Sequence, residues 1–125
     1  MKILIVDDDE DTLANLSDIL SDIGYEIEGS NCAEDAIAKV EMNAKRSGSS
    51  NYDLCLLDFK MPGINGAELF TKIRQIDPAL KAIMITAYAG SDGIERAISA
   101  GTWKVLRKPV DIETLIALIQ EATAR

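Results

Sequence analysis

Short apolar runs that alternate with longer amphipathic stretches constrain this chain more than any other feature of its sequence. The runs are Ile3–Val6, Tyr25–Gly29, Leu54–Leu57, Ala82–Ile85 and Trp103–Leu106. Several are apolar throughout, the pattern of strands buried on both faces. Between them the apolar residues change period. Leu13, Leu16, Leu20 and Ile23 recur at helical steps, as do Ala36, Ile37, Val40 and Ala44. Leu69, Phe70, Ile73 and Ile76 form a third stripe, and Leu115, Ile116, Leu118 and Ile119 a broad last one. Asn31 with Glu34, and Asn65 with Glu68, have the spacing of a capping box, and Asp111 after Pro109 suits the N-cap of the last helix. The segment Ser91–Ile98 is the weakest helical pattern, because it is short and contains Gly93. Strand–helix units in this order predict an α/β fold, a parallel sheet wrapped by helices on both faces.

Composition narrows the functions such a fold can carry. At 125 residues and 47% apolar, the chain can bury one core and is expected to form one domain over residues 1–125. With 13 basic and 21 acidic residues its net charge is -8, which disfavours direct binding to nucleic acid or to an anionic membrane. No apolar run approaches the ~20 residues that cross a bilayer. Met1 leads straight into a short strand and then acids, so no signal peptide is expected. Cys32 and Cys55 have no metal-type spacing and read as free thiols, consistent with the cytoplasm. The chain has no histidine, which removes His-dependent triads and His-ligated zinc.

In parallel sheets, ligands bind at the carboxyl ends of the strands. The first strand runs into an unbroken acidic stretch, Asp7 to Asp11. The third ends in Asp58, the fourth in Thr86, and the fifth runs into Lys108 and Pro109. Each has an ordinary alternative: acids at a helix N-terminus, a cap, a β-branched strand residue, a surface lysine. Together they make a site. Clustered carboxylates suit Mg²⁺, which takes few protein ligands and leaves room for a phosphate. A carboxylate can accept a phosphoryl group, and phosphoryl transfer needs charge neutralisation and positioning, which a metal, an ammonium and a hydroxyl supply.

Competing sites fail on particular residues. Asp7, Asp9 and Asp11 alternate as in an EF-hand, but Thr12 stands where the loop needs Gly and Asp18 where it needs Glu. No GxxxxGK loop followed by Ser or Thr exists, and no GxGxxG follows the first strand, so neither ATP nor a dinucleotide is expected. A haloacid-dehalogenase-type phosphatase would carry a second aspartate where Lys60 stands.

The stretches ILIVDDDE, LLDFKMPGINGAEL, MITAY and GTWKVLRKPVD resemble the receiver domains of bacterial two-component response regulators, over essentially the whole chain. The resemblance implies a flavodoxin-like (βα)5 three-layer sandwich with strand order 2-1-3-4-5. It implies that Asp58 is the phosphoacceptor, and that Asp8 and Asp58 hold Mg²⁺ directly, with Mn²⁺ as an alternative. Asp7 would act largely through metal-bound water, and the Lys60 backbone carbonyl would complete the protein ligands. Thr86 would be the switch hydroxyl with small Ala87 beside it, Lys108 would pair with the phosphoryl group, and Lys108–Pro109 would be cis. The implied partners are a sensor histidine kinase or a histidine phosphotransfer protein, and downstream either a protein effector or an output domain. The face built by the predicted fourth helix, fifth strand and fifth helix would carry the output, with Arg96, Lys104 and Trp103 as candidate contacts. The implied protein modifies itself and is not a turnover enzyme.

Three features depart from the family pattern. NAKRSGSSN, before the third strand, is longer than usual and reads as a flexible polar loop. Val105 stands where the family often has Tyr or Phe, leaving Trp103 and Tyr88 as the nearby aromatics that could replace it. Lys60 and Tyr88 occupy positions that in the family modulate hydrolysis, and their bulk and charge imply a long-lived phosphoryl state. Two other readings use the same residues: a phosphorylation-independent pseudo-receiver, and a metal-dependent phosphatase of small esters.

Overall fold

The computed structural model describes residues 2–47, 52–87 and 101–123. Five parallel strands, β1 (Lys2–Val6), β2 (Glu26–Ser30), β3 (Leu54–Asp58), β4 (Lys81–Thr86) and β5 (Lys104–Arg107), lie in the order β2-β1-β3-β4-β5. Among the described residues four helices accompany them: α1 (Glu10–Ile23), α2 (Ala33–Ser47), α3 (Gly66–Ile76) and α4 (Ile112–Thr123). This is the expected doubly wound α/β sandwich. The predicted Ser91–Ile98 helix, with Tyr88 and Arg96, lies outside the described residues. No helix among the described residues is long and apolar enough to cross a membrane.

Alternation along the strands builds two cores. Leu4 and Val6 of β1, Cys55 and Leu57 of β3, and Ala82 and Met84 of β4 face α2 and α3, against Val40, Leu69, Phe70 and Ile73. Ile3, Ile5, Leu54, Leu56, Ile83 and Ile85 face the other way, against Leu16 and Leu20 of α1 and Leu115 and Ile119 of α4. The central strands are therefore apolar on both sides, as their sequences required.

The ends of the helices divide between expectation and correction. Asn65 caps α3, its Oδ1 accepting the Glu68 N–H at 2.9 Å. Asp111 takes the expected place before α4: its carbonyl accepts the Leu115 N–H at 2.9 Å and its carboxylate the Thr114 hydroxyl at 2.6 Å. Asn31 behaves differently. Its amide donates to Glu10 at 3.4 Å, and the first helical carbonyl of α2 is that of Cys32. The stretch expected as a loop, residues 43–51, is also shorter than it read, because α2 runs on through Ser47. Ala44, Lys45 and Arg46 are good helix formers and simply extend the preceding turn; residues 48–51 lie outside the described residues.

Candidate functional site

Asp58 is the last residue of β3 and Thr86 the last of β4, while Asp7 and Lys108 come one residue after β1 and β5. The register brings these ends side by side: Val6 pairs with Leu57, Asp58 with Ile85, and Thr86 with Arg107. Backbone bonds beyond the strands fix the rim further. Phe59 N donates to Ile85 O at 2.9 Å, Lys108 N to Thr86 O at 2.9 Å, and Asp7 N to Ser30 O at 3.1 Å. The Lys108–Pro109 bond is cis, as expected.

One oxygen each of Asp7, Asp8 and Asp58 lies within 4.8 Å of the others. Asp7 is only 3% exposed and Asp58 6%, whereas Asp8 faces solvent. Lys108 reaches in from β5, with Nζ 3.5 Å from Asp7 Oδ2 and 3.4 Å from Asp58 Oδ1. Among the described residues one ammonium thus contacts two buried carboxylates, with the Asp8 carboxylate beside them at the rim. Burial and the neighbouring Asp7 charge push the Asp58 carboxyl up to about 6, and Lys108 offsets only part of that rise. Burial works against the Lys108 charge, but Asp58 and Asp7 outweigh it and hold its pKa above the usual lysine value. A site with surplus negative charge and only oxygen donors fits a small divalent cation. Asp7, Asp8 and Asp58 are the residues that could hold it.

The acidic run after β1 separates into distinct tasks. Asp7 and Asp8 turn toward the site. Asp9 turns away and caps α1, accepting the Asp11 N–H at 3.1 Å and the Thr12 hydroxyl at 2.8 Å. That Thr12 bond leads the causes that hold the Asp9 carboxyl below its ordinary range. Glu10 and Asp11 occupy the first turn of α1, where negative charge is favoured.

Sequence reasoning missed Gly66. A Cβ there would stand 2.5 Å from Asp58 O, 2.7 Å from Met84 Sδ and 3.0 Å from Phe59 Cα. The Gly66 N–H donates to Phe59 O at 2.7 Å. The start of α3 therefore packs directly on the backbone that presents Asp58. The available signal was a glycine immediately after a helix cap, where a side chain would otherwise be tolerated.

The remaining sequence candidates fall in different places. Lys60 is exposed between buried Phe59 and Met61, on the loop that follows Asp58. Ala87 is exposed next to Thr86, which is buried. Val105 pairs with Met84 and packs toward the α2–α3 core. Trp103 packs in the opposite core with α1 and α4, with Lys81 and Lys104 ammonium groups 5.5 and 5.4 Å from its ring centre. Trp103 and Val105 thus pack against different cores. Tyr88 lies outside the described residues.

Comparisons with known proteins agree with this geometry. The family model described as response regulator receiver domain matches residues 3–120. A response regulator receiver protein of Anaeromyxobacter sp. strain Fw109-5 is 36% identical over 92% of this chain and 45% of its own length. A cyclic di-GMP phosphodiesterase of Thermotoga maritima is 30% identical over 98% of this chain and 31% of its own length. The chain thus spans less than half of each of these two curated relatives. Among solved structures, a CheY-like receiver domain protein from Methanospirillum hungatei JF-1 superposes with a TM-score of 0.84 at 35% identity, covering 96% of this chain and 90% of the other. The Thermotoga maritima response regulator TrrA, solved in complex with Mg²⁺–BeF, gives 0.80 at 31% identity over 97% of both chains. With its sheet order, the carboxylates and lysine at its strand ends and a family match over nearly its full length, the chain belongs to the response regulator receiver domains of two-component signalling.

Proposed function

We propose that Asp58 accepts a phosphoryl group from a phosphohistidine on a sensor kinase or a phosphotransfer protein. The observation that carries this reading is Lys108 poised between Asp7 and Asp58 at 3.5 and 3.4 Å, at the rim of a three-carboxylate cluster. An Asp58 carboxylate oxygen attacks phosphorus, the P–N bond breaks, and the imidazole leaves with the bonding pair. Asp7, Asp8 and Asp58, with the Lys60 carbonyl, are the residues proposed to hold Mg²⁺, which when bound neutralises charge on the phosphoryl oxygens. The Mg²⁺–BeF complex of TrrA supports that choice of ion. Lys108 is then proposed to exchange part of its pairing with Asp58 for the new oxygens, and the hydroxyl of Thr86, at the end of the neighbouring strand, to donate to them.

The added charge biases a pre-existing equilibrium around Thr86 and Lys108. The proposed output surface is the segment after Ala87 together with β5 and α4, acting on a protein effector or on an output domain. Lys104 is exposed there, and Val105 leaves the switch without its usual aromatic. Residues 1–125 are proposed to act as one receiver domain, working in the cytoplasm and modified once rather than turning over substrate. Lys60 beside the acceptor, with Tyr88 after Ala87, supports slow hydrolysis of the acyl phosphate.

Stoichiometry tests the proposal. Intact mass after incubation with Mg²⁺ and a small phosphodonor should show one phosphoryl adduct, absent in Asp58→Asn and without Mg²⁺. Continuous phosphate release from a generic ester would instead favour the phosphatase reading. No adduct on a folded, Mg²⁺-binding protein, even from a phosphohistidine donor, would favour the pseudo-receiver.

A further inference from the structure

Among the described residues β2 is an edge strand, paired with β1. Its last residue nevertheless supports the site, because Ser30 O accepts the Asp7 N–H at 3.1 Å. Carbonyls in a parallel strand alternate between its two sides. With Ser30 O turned to β1, Gly29 O faces the open edge. Lys39 of α2 closes that edge: its Nζ donates to Gly29 O at 2.5 Å and to Ser30 Oγ at 3.3 Å. The ammonium is itself held by Asp35, one helical turn earlier, at 2.9 Å. Ser30 is only 1% exposed, and Leu13 of α1 fills the other side of Gly29, 3.1 Å from where a Cβ would stand. The end of β2 is thus clamped from α1, α2 and β1, and Asp7 hangs from it.

We propose that Lys39 is a positioning residue for the metal site. By strapping Gly29 and Ser30 it fixes the backbone of Asp7, and so the spacing of the Asp7 carboxylate from Asp58. The inference rests on the reading that Asp7, Asp8 and Asp58 hold Mg²⁺. Its sign separates it from simple electrostatics. Deleting a cation near a cation site should tighten metal binding by removing repulsion, whereas deleting a strap should weaken it.

The test is isothermal titration calorimetry with Mg²⁺ on the wild type, Lys39→Met and Lys39→Arg, with urea unfolding in EDTA alongside. Groups that orient metal ligands typically change affinity by 10-fold or more, and a group acting through backbone should change it by about 3- to 10-fold. Lys39→Met is expected to bind Mg²⁺ that much more weakly, and Lys39→Arg to recover binding to within about twofold. Unchanged or tighter binding by Lys39→Met overturns the positioning role and leaves the metal site standing. Absence of saturable Mg²⁺ binding by the wild type overturns both. If Lys39→Met does not fold, Lys39→Gln, a shorter neutral side chain that gives up the ammonium bond to Gly29 O, supplies the comparison, and equal affinity to wild type overturns the proposal.

Discussion

Replacing Asp58 by asparagine should stabilise the metal-free protein. In the folded chain, burial and the neighbouring Asp7 charge raise the Asp58 carboxyl from 3.8 to about 6. At about 1.4 kcal/mol per tenfold change in proton affinity, an ionised Asp58 opposes folding by about 3 kcal/mol near pH 7. The sign follows from where the proton is held. The folded state binds it more tightly than the unfolded state, so the contribution to stability is complete below pH 4 and is lost as pH rises through about 6. Asparagine keeps the shape and removes the charge; the Lys108 attraction lost with it is already contained in that net rise, and burying an amide in place of the carboxyl takes back part of the gain. The expected net gain at pH 7 in EDTA is therefore about 1–3 kcal/mol, or about 3–5 °C in Tm per kcal/mol for a domain of this size. Urea unfolding of both proteins in EDTA, at pH 4.5 and pH 7, measures it. The gain should be present at pH 7 and shrink at pH 4.5. Saturating Mg²⁺ should reverse the ranking, since only the wild type keeps the full ligand set. An Asp58→Asn protein less stable than wild type in EDTA at pH 7 would refute the reasoning, because it would show that Lys108 fully compensates the buried carboxylates.

Other substitutions probe separate parts of the account. Gly66→Ala places a methyl 2.5 Å from Asp58 O; chemical denaturation should show a loss of about 1–3 kcal/mol, and phosphorylation should slow. Lys108→Met leaves Asp7 and Asp58 without their cation, and after discount for the partial exposure of the lysine it should cost about 1–3 kcal/mol in EDTA and suppress the phosphoryl adduct. Asn65→Ala removes the cap of α3 and should cost about 1 kcal/mol by urea unfolding. Once formed, the phosphoryl state should outlast minutes in Mg²⁺ buffer when followed by intact mass; loss within seconds would remove the role assigned to Lys60 and Tyr88.

The alternation of apolar runs and helical stripes made the sheet and its two cores legible, because period and burial are properties of local sequence. The ends of the strands were legible for the same reason, and with them Asp7, Asp58, Thr86 and Lys108. What escaped depends on partners that sequence spacing does not identify. Asn31 has the residue type of a cap, yet Glu10 from another element attracts its amide. Asp9 reads as one more acid of a cluster, yet the turn into α1 takes its carboxylate for Thr12 and Asp11. Gly66 acquires its meaning only when α3 lies on the backbone of Asp58 and Phe59. Trp103 is near Val105 in sequence, but the sheet lies between their side chains, and burial in the core with α4 decided its place.

The central claim, that Asp58 carries the phosphoryl group, is tested most directly by trapping it. Borohydride reduces an aspartyl phosphate to homoserine, and peptide mass spectrometry then locates the altered residue. After treatment with Mg²⁺ and a small phosphodonor, homoserine should be found at position 58 and nowhere else. Homoserine at position 7 or 8, or none on a protein that carries a phosphoryl adduct, would contradict the account.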